Sequence, residues 1–410
     1  MSLRCQEPYF VNDCALLMNP YRASGSTCLS ARSVVIAAIV AFGLTLGPVG
    51  AAERTVDTET GPLKVETIAE GLNHPWGMAF LPDGRMLVTE RAGTLRLVGA
   101  DGTISEPLSG VPQALASGQG GLLDIALDPT FPTNKLVYLS YAEPGEGGAG
   151  TTVARGRFEG TGLEDVKVIF RQIPKVKGPN HFGGRLAFAP DGTLFVTLGD
   201  RFKFDPAQDL SSHLGKIVRI NPDGSVPQGN PFIGQKDAQP EIWSFGHRNV
   251  ESAAIHPQTG KLWSLEFGPK GGDELNIPAP GENYGWPLVS WGTHYDGKDI
   301  PNPPTRPEFA DAVRHWTPVI SPSGVTFYTA EAVPGWTAEI IPAWKGNLLI
   351  GGLSAQGIVR LILDGETVAG EETIPLGVRI RDVAQGPDGT VYALTDEDNG
   401  KVLRISAESQ

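Results

Sequence analysis

Cysteine is scarce in this 410-residue chain: Cys5, Cys14 and Cys28 are the whole supply, and none lies further along. Disulfides and thiolate metal sites are thereby excluded from everything beyond residue 28. Positive charge is also short, with 33 Lys and Arg against 46 Asp and Glu for a formal charge of −13. That balance excludes a general nucleic-acid binder, because neutralising phosphates takes a basic surplus. Any anionic ligand must be held by a local basic cluster. Long apolar runs are missing but for one. Arg32 is followed by an apolar run from Ser33 to Leu46, too short to cross a bilayer comfortably, and then by Val49-Gly50-Ala51-Ala52, small residues of the kind a signal peptidase cuts after. Residues 1–51 are therefore expected to be a secretory signal region removed near Ala51 or Ala52. This places the mature protein, residues 52–410, in the periplasm or outside the cell, with no stable membrane insertion after cleavage. The stretch before Arg32 is long for a leader, so translation is expected to start later, with Met18 the candidate. All three cysteines fall in the removed part.

What the chain has in abundance is turns: 52 Gly and 34 Pro punctuate many short segments, a pattern of all-β folds. One unit recurs. Met78-Ala79-Phe80-Leu81-Pro82-Asp83-Gly84-Arg85-Met86-Leu87-Val88-Thr89 is echoed from Leu186 through Pro190-Asp191-Gly192 to Thr197, and from Val383 through Pro387-Asp388-Gly389 to Thr395. Looser copies surround Pro129 and Pro257, and a degenerate sixth runs from Val325 to Tyr328 and, after an insertion, from Trp344 to Ile350. In the clear copies Pro presets φ and Gly accepts positive φ, which makes a tight turn between strands rich in β-branched and aromatic residues. Six hairpin units spaced more widely than a minimal blade predict an all-β, six-bladed β-propeller with its surplus residues in face loops. A β-sandwich is the alternative, but it does not account for one turn motif recurring along the chain.

Architecture does not give activity, so chemistry is sought in the loops. His181, in Gly178-Pro179-Asn180-His181-Phe182-Gly183-Gly184, stands at a strand entrance and can take a proton near neutrality. Arg248 and Asn249, in Trp243-Ser244-Phe245-Gly246-His247-Arg248-Asn249, offer a planar fork and an amide to a carboxylate or quinone oxygen, or serve equally as structural partners. The loop Gly268-Pro269-Lys270-Gly271-Gly272-Asp273-Glu274, followed by Asn283-Tyr284-Gly285-Trp286-Pro287, combines flexible carbonyls with hard carboxylates. That set suits calcium without having EF-hand spacing; an acidic surface loop is the other reading.

Taken in order, His-Arg-Asn, Gly-Pro…Gly-Gly-Asp-Glu-Leu-Asn, Asn-Tyr-Gly-Trp-Pro and Arg379-Ile380-Arg381-Asp382-Val383 resemble the soluble glucose and aldose sugar dehydrogenases that use pyrroloquinoline quinone. The resemblance spans roughly residues 65–408. It implies a calcium-assisted oxidoreductase that converts an aldose at its anomeric hydroxyl to a lactone and passes electrons to an unidentified acceptor. It further implies His181 as general base, Gln119 as a sugar contact, and Arg248 with Asn249 facing the quinone. Arg379 and Arg381 would hold cofactor carboxylates. Carbonyls of Gly268 and Pro269 would hold the cofactor's calcium, and Glu274 with the Tyr284 carbonyl a structural one. Phe267 and Ser354 depart from the family, the first standing where a polar or ring-nitrogen side chain is usual, the second where a lysine commonly contacts the cofactor. A calcium-dependent propeller lactonase and a non-catalytic binding scaffold are the competing readings.

Overall fold

Each recurring turn joins the two inner strands of a separate antiparallel sheet. In the computed structural model, which describes residues 53–332 and 340–408, these pairs are Pro75–Phe80 with Met86–Glu90, Leu122–Leu127 with Leu136–Gly145, Gly183–Phe188 with Leu194–Leu198, Val250–Ile255 with Leu262–Glu266, Pro322–Phe327 with Leu348–Gly352, and Ile380–Gln385 with Val391–Thr395. The leader expected at 1–51 lies outside the described residues. Thr94–Val98 completes the first blade. Two outer strands complete each of the next four: Gly148–Phe158 and Leu163–Arg171, Lys216–Ile220 and Ile242–Phe245, Asp273–Asn276 and Arg314–Trp316, Gly357–Asp364 and Thr367–Pro375. The sixth blade adds Gly400–Ala407 and then two strands from the other end of the chain, Leu63–Leu72 and Glu53–Val56. Leu63 pairs with Ala407 and Leu72 with Gly400, so an early and a late strand close the ring. Among the described residues this is the six-bladed β-propeller that the repeats predict.

Both faces of a sheet are buried, and successive side chains go to different neighbours. Leu194 and Val196 pack with Tyr138, Val153 and Phe170 of the second blade, whereas Phe195 and Ile217 pack with Val250 and Leu262 of the fourth. This is why the strands read as unbroken apolar runs instead of alternating ones. Truncating Leu194, which is wholly buried, to Ala would cost about 2–5 kcal/mol.

All six inner hairpins carry a register shift near the start of the innermost strand. A bulge re-aims side chains, and here it turns charges toward the axis. Arg185 reaches Asp124 at 3.0 Å and Asp382 at 3.1 Å, and stacks on Trp76. Arg381 reaches Glu251 at 2.8 Å. Gly77 and Gly324 leave room for the two aspartates: a Cβ at either would fall 2.6 or 2.1 Å from Asp124 or Asp382 Oδ1.

Candidate active site

In an antiparallel blade, the entrance to the first strand and the exit from the second lie on the same face of the ring. Four second strands end on or just before an acid that grips the chain entering its own blade. Glu90 accepts from the Asn73 amide at 2.6 Å, Glu266 from the Arg248 amide at 2.6 Å, Asp396 from the Arg379 guanidinium at 2.9 Å, and Asp200 bonds the His181 ring. His181, Arg248 and Arg379 are thereby pinned on one face.

His181 sits in the left-handed region, φ 53°, and is buried. Its amide donates to Gln119 Oε1 at 2.6 Å, and its Nδ1 lies 2.6 Å from Asp200 Oδ1. Asp200 is itself oriented: Oδ2 accepts from Trp286 Nε1 at 2.8 Å, and its amide donates to the Arg248 carbonyl at 2.7 Å. With Nδ1–H given to a carboxylate, Nε2 is left as the basic nitrogen. Burial lowers the His181 pKa below the ordinary imidazole value, although the Asp200 bond works the other way. The ring is therefore neutral and able to accept a proton at pH 7.

Arg248, also buried, donates to the carbonyls of Phe267 and Gly268 at 2.9 and 2.8 Å and to the Tyr295 hydroxyl at 3.1 Å. Its Nε is buried with no partner. Asn249 is occupied within the protein, accepting from the Gly183 amide at 3.1 Å and donating to Glu251 at 3.0 Å; its side chain braces the strand after His181. Arg379 and Arg381 share Asp396 Oδ2, and Arg381 also pairs with Glu251. Although burial opposes it, Arg381 and Arg379 hold Asp396 well below the usual carboxylate range. Two carboxylates thus already balance these two arginines. Arg381 Nε remains buried and unpartnered, and half of the Arg379 side chain is exposed.

The residues suited to calcium are carbonyls and one crowded acid. Asp273 clamps their loop by accepting from the Gly268 and Ser321 amides at 2.9 and 2.7 Å, and burial raises it to about 6. Gly268 O already faces the Arg248 guanidinium, which leaves one lone pair for a cation. Burial, and then the Glu266 carboxylate beside it, raise Glu274 well above its ordinary value. A cavity of about 10 Å³ between Glu274, Glu266, Tyr284 and Gly246 is the size of a single ion or water. Two close carboxylates beside such a space fit a hard cation. No group of three or more His, Cys, Asp and Glu side chains converges for metal binding among the described residues, so carbonyls must complete either site. Phe267 is half-buried and donates its amide to the Asn249 carbonyl. Ser354 is exposed, its hydroxyl bonded to that of Ser321.

The remaining candidate residues on this face come from an excursion between the third and fourth strands of the fourth blade. Residues 277–313 climb beside the third blade, where the Tyr284 amide donates to the Phe245 carbonyl. They deliver Trp286 to Asp200 and Tyr295 to Arg248 before returning to Arg314–Trp316. Gln208 secures this excursion through Asn283 and the Trp286 carbonyl. Asp200, Glu251 and Asp396 were not selected from the sequence, and Trp286 was noted only as part of its motif, with no role given. The signal for Asp200 and Asp396 was available: an acid closes the second strand in several copies of the repeat.

A family model described as glucose/sorbosone dehydrogenase matches residues 72–404. Aldose sugar dehydrogenase YliI of Escherichia coli is 43% identical over 354 residues, 84% of this chain and 93% of the relative. A crystal structure of a glucose dehydrogenase, 45% identical, superposes with a TM-score of 0.78 over 84% of this chain and 99% of its own. The PQQ-bound aldose sugar dehydrogenase of Streptomyces coelicolor, 32% identical, gives 0.67 over 84% and 98%. With six repeats and these matches over most of its length, the chain belongs to the glucose/sorbosone dehydrogenase family and is a dehydrogenase.

Proposed function

We propose that the protein is an exported, pyrroloquinoline-quinone-dependent dehydrogenase that oxidises the anomeric hydroxyl of aldose sugars to lactones with the help of calcium. The observation that carries this reading is the buried His181–Asp200 pair, 2.6 Å apart, opening beside an arginine with an unsatisfied Nε. His181 Nε2 takes the anomeric proton, and Asp200 holds the imidazolium that results. Gln119 fixes the His181 backbone from the substrate side. Arg248 offers its guanidinium to an oxygen that gains negative charge. Arg379 and Arg381, with Asn249 bracing the floor, would hold the cofactor's carboxylates; Gly268 and Pro269 would hold its calcium, and Glu274 with the Tyr284 carbonyl a second ion. When bound, the quinone supplies a hydride acceptor and calcium a charge that polarises it.

The balance of charge refines this picture. Because Glu251 and Asp396 already answer Arg381 and Arg379, and Ser354 adds no cation, quinone affinity leans on Arg248 and calcium. A lactonase would need metal-ligating carboxylates on the axis, but Asp124 and Asp382 are bound to Arg185 there. The test is a titration of apo-protein with pyrroloquinoline quinone, with and without calcium, followed by dye reduction with aldoses. Calcium-dependent binding and sugar-dependent reduction are expected. Ser354→Lys should tighten binding by roughly ten- to a hundredfold, the worth of one charge-assisted bond. No binding at micromolar quinone by either protein would defeat the reading.

A further inference from the structure

The tryptophan that bonds Asp200 comes from a different blade, so its approach has to be set closely for the indole to stay at 2.8 Å. The two partners meet a second time, through a closed circuit of hydrogen bonds. It starts in the short 3-10 turn Asp205–Gln208. The Gly246 amide donates to the Ala207 carbonyl at 3.0 Å, and the Trp286 amide to the Gly246 carbonyl at 2.9 Å. Gln208 Nε2 closes the circuit by donating to the Trp286 carbonyl at 2.8 Å.

The same amide exchanges two bonds with Asn283. Gln208 Nε2 donates to Asn283 Oδ1 at 3.0 Å, and Asn283 Nδ2 donates to Gln208 Oε1 at 2.7 Å. With donor and acceptor of each amide engaged, both planes are fixed at once. Asn283 Oδ1 also accepts from the Gly285 amide at 3.0 Å, which steers the chain toward Trp286. The fold makes room for this pair and anchors it. Gly246 has φ of 75°, and a Cβ there would fall 2.2 Å from Asn283 Oδ1 and 2.9 Å from Gln208 Nε2. Lys216, wholly buried, donates from Nζ to the carbonyls of Pro206, Ala207 and Leu214 at 2.8, 2.9 and 2.8 Å. All three ammonium protons are used in fixing the turn and the chain that returns from it, so Gln208 projects from a rigid base.

Asn283 stands in a motif singled out in the sequence, yet the proposed chemistry leaves it without a task. We propose that Gln208 and Asn283 are positioning residues for the base: their reciprocal pair holds Trp286 on Asp200, and Trp286 sets how tightly Asp200 binds the His181 proton. This rests on His181 being the base. The indole N–H and the imidazole compete for one carboxylate, which also accepts from the Phe202 amide at 2.7 Å. When the indole withdraws, Asp200 gives more of its charge to His181, and the ring keeps a proton to higher pH. The other charges that act on the ring are Arg248, which opposes its protonation, and Glu251, which favours it. Both are held by other partners, Arg248 by the Gly268 carbonyl and Glu251 by Asn249 and Arg381.

The experiment titrates His181 by NMR in the apo-protein, which contains the whole circuit, for the wild type, Gln208→Leu, Asn283→Leu, the double variant and Trp286→Phe. The His181 pKa should rise in every variant, and most in Trp286→Phe, which removes the indole donor outright. The double variant should shift no further than the larger of the two single ones, because each already breaks the pair. In the quinone- and calcium-loaded protein, Gln208→Leu should lower kcat roughly tenfold and move the acid limb upward. A lowered unfolding midpoint with His181 titrating as in the wild type would reduce the pair to a structural brace and overturn the proposal. Additive shifts in the double variant would overturn it too. Because the titration needs no turnover, a protein that oxidises no aldose would defeat the dehydrogenase reading while the titration still decides whether the pair acts on His181.

Discussion

The two faces of the ring are built from the same six hairpins to opposite ends. On one face the strands meet in Pro-Asp-Gly turns, such as Gly192 at φ 82° with nothing within 4 Å of a would-be Cβ. Their backbone shape is local, although their aspartates also anchor neighbouring strands, as Asp191 does with Arg219 at 2.8 Å. On the other, second strands end at acids that reach across to entering chains, as Asp200 does to His181. The difference teaches that a repeat can be strict where it only has to turn, and varied where it has to hold something. The axis, where Arg185 meets Asp124 and Asp382, is the part both faces share.

Breaking that shared part should have the largest effect. Arg185→Met leaves two buried aspartates unpaired and is expected to destabilise the fold by about 3–5 kcal/mol, measured by denaturant unfolding; a loss under about 1 kcal/mol would mean that the axis is not the keystone. Next comes the chemical face itself. His181→Ala should cut turnover about a hundredfold or more, and near-normal turnover would move the base elsewhere. Asp200→Asn keeps the shape but loses the charge, so turnover should fall roughly ten- to a hundredfold. Its pH dependence sharpens the point. As the proposed base, His181 would work when neutral, and burial sets its pKa below the ordinary value while Asp200 raises it. The acid limb of kcat/KM should therefore lie below pH ~6.5, and Asn at 200 should move it lower still. A limb moving upward would contradict the pairing. The turn face should respond least: Gly192→Ala places a side chain at positive φ, costing about 1–2 kcal/mol and a few degrees of melting temperature, with kcat/KM unaltered.

The turns were legible because their chemistry is local: Pro and Gly mark them whatever the rest of the chain does. The blade count followed, and so did the placing of His181 and Arg248 at strand entrances. The partnerships were not legible. Asp200 is separated from His181 by a whole hairpin, and Trp286 arrives from the next blade on an excursion with no repeat to announce it. The two arginines read as spare positive charge because Glu251 and Asp396, which answer them, belong to different blades in the fold and are far apart in sequence. Asn249 likewise looked like a ligand group until Gly183 and Glu251 took up its amide.

The pairing of Leu63–Leu72 with Gly400–Ala407 has a consequence in time. A ribosome makes these strands more than three hundred residues apart, so the sixth blade stays open until Gly400–Ala407 has been made, and this distant contact is slow to form. Arg379, Arg381 and Asp396 all belong to that blade. An anion held by the two arginines would recognise only the closed ring, and its binding free energy would add to closure by mass action. Such a ligand would act as a clasp between the strands Leu63–Leu72 and Gly400–Ala407.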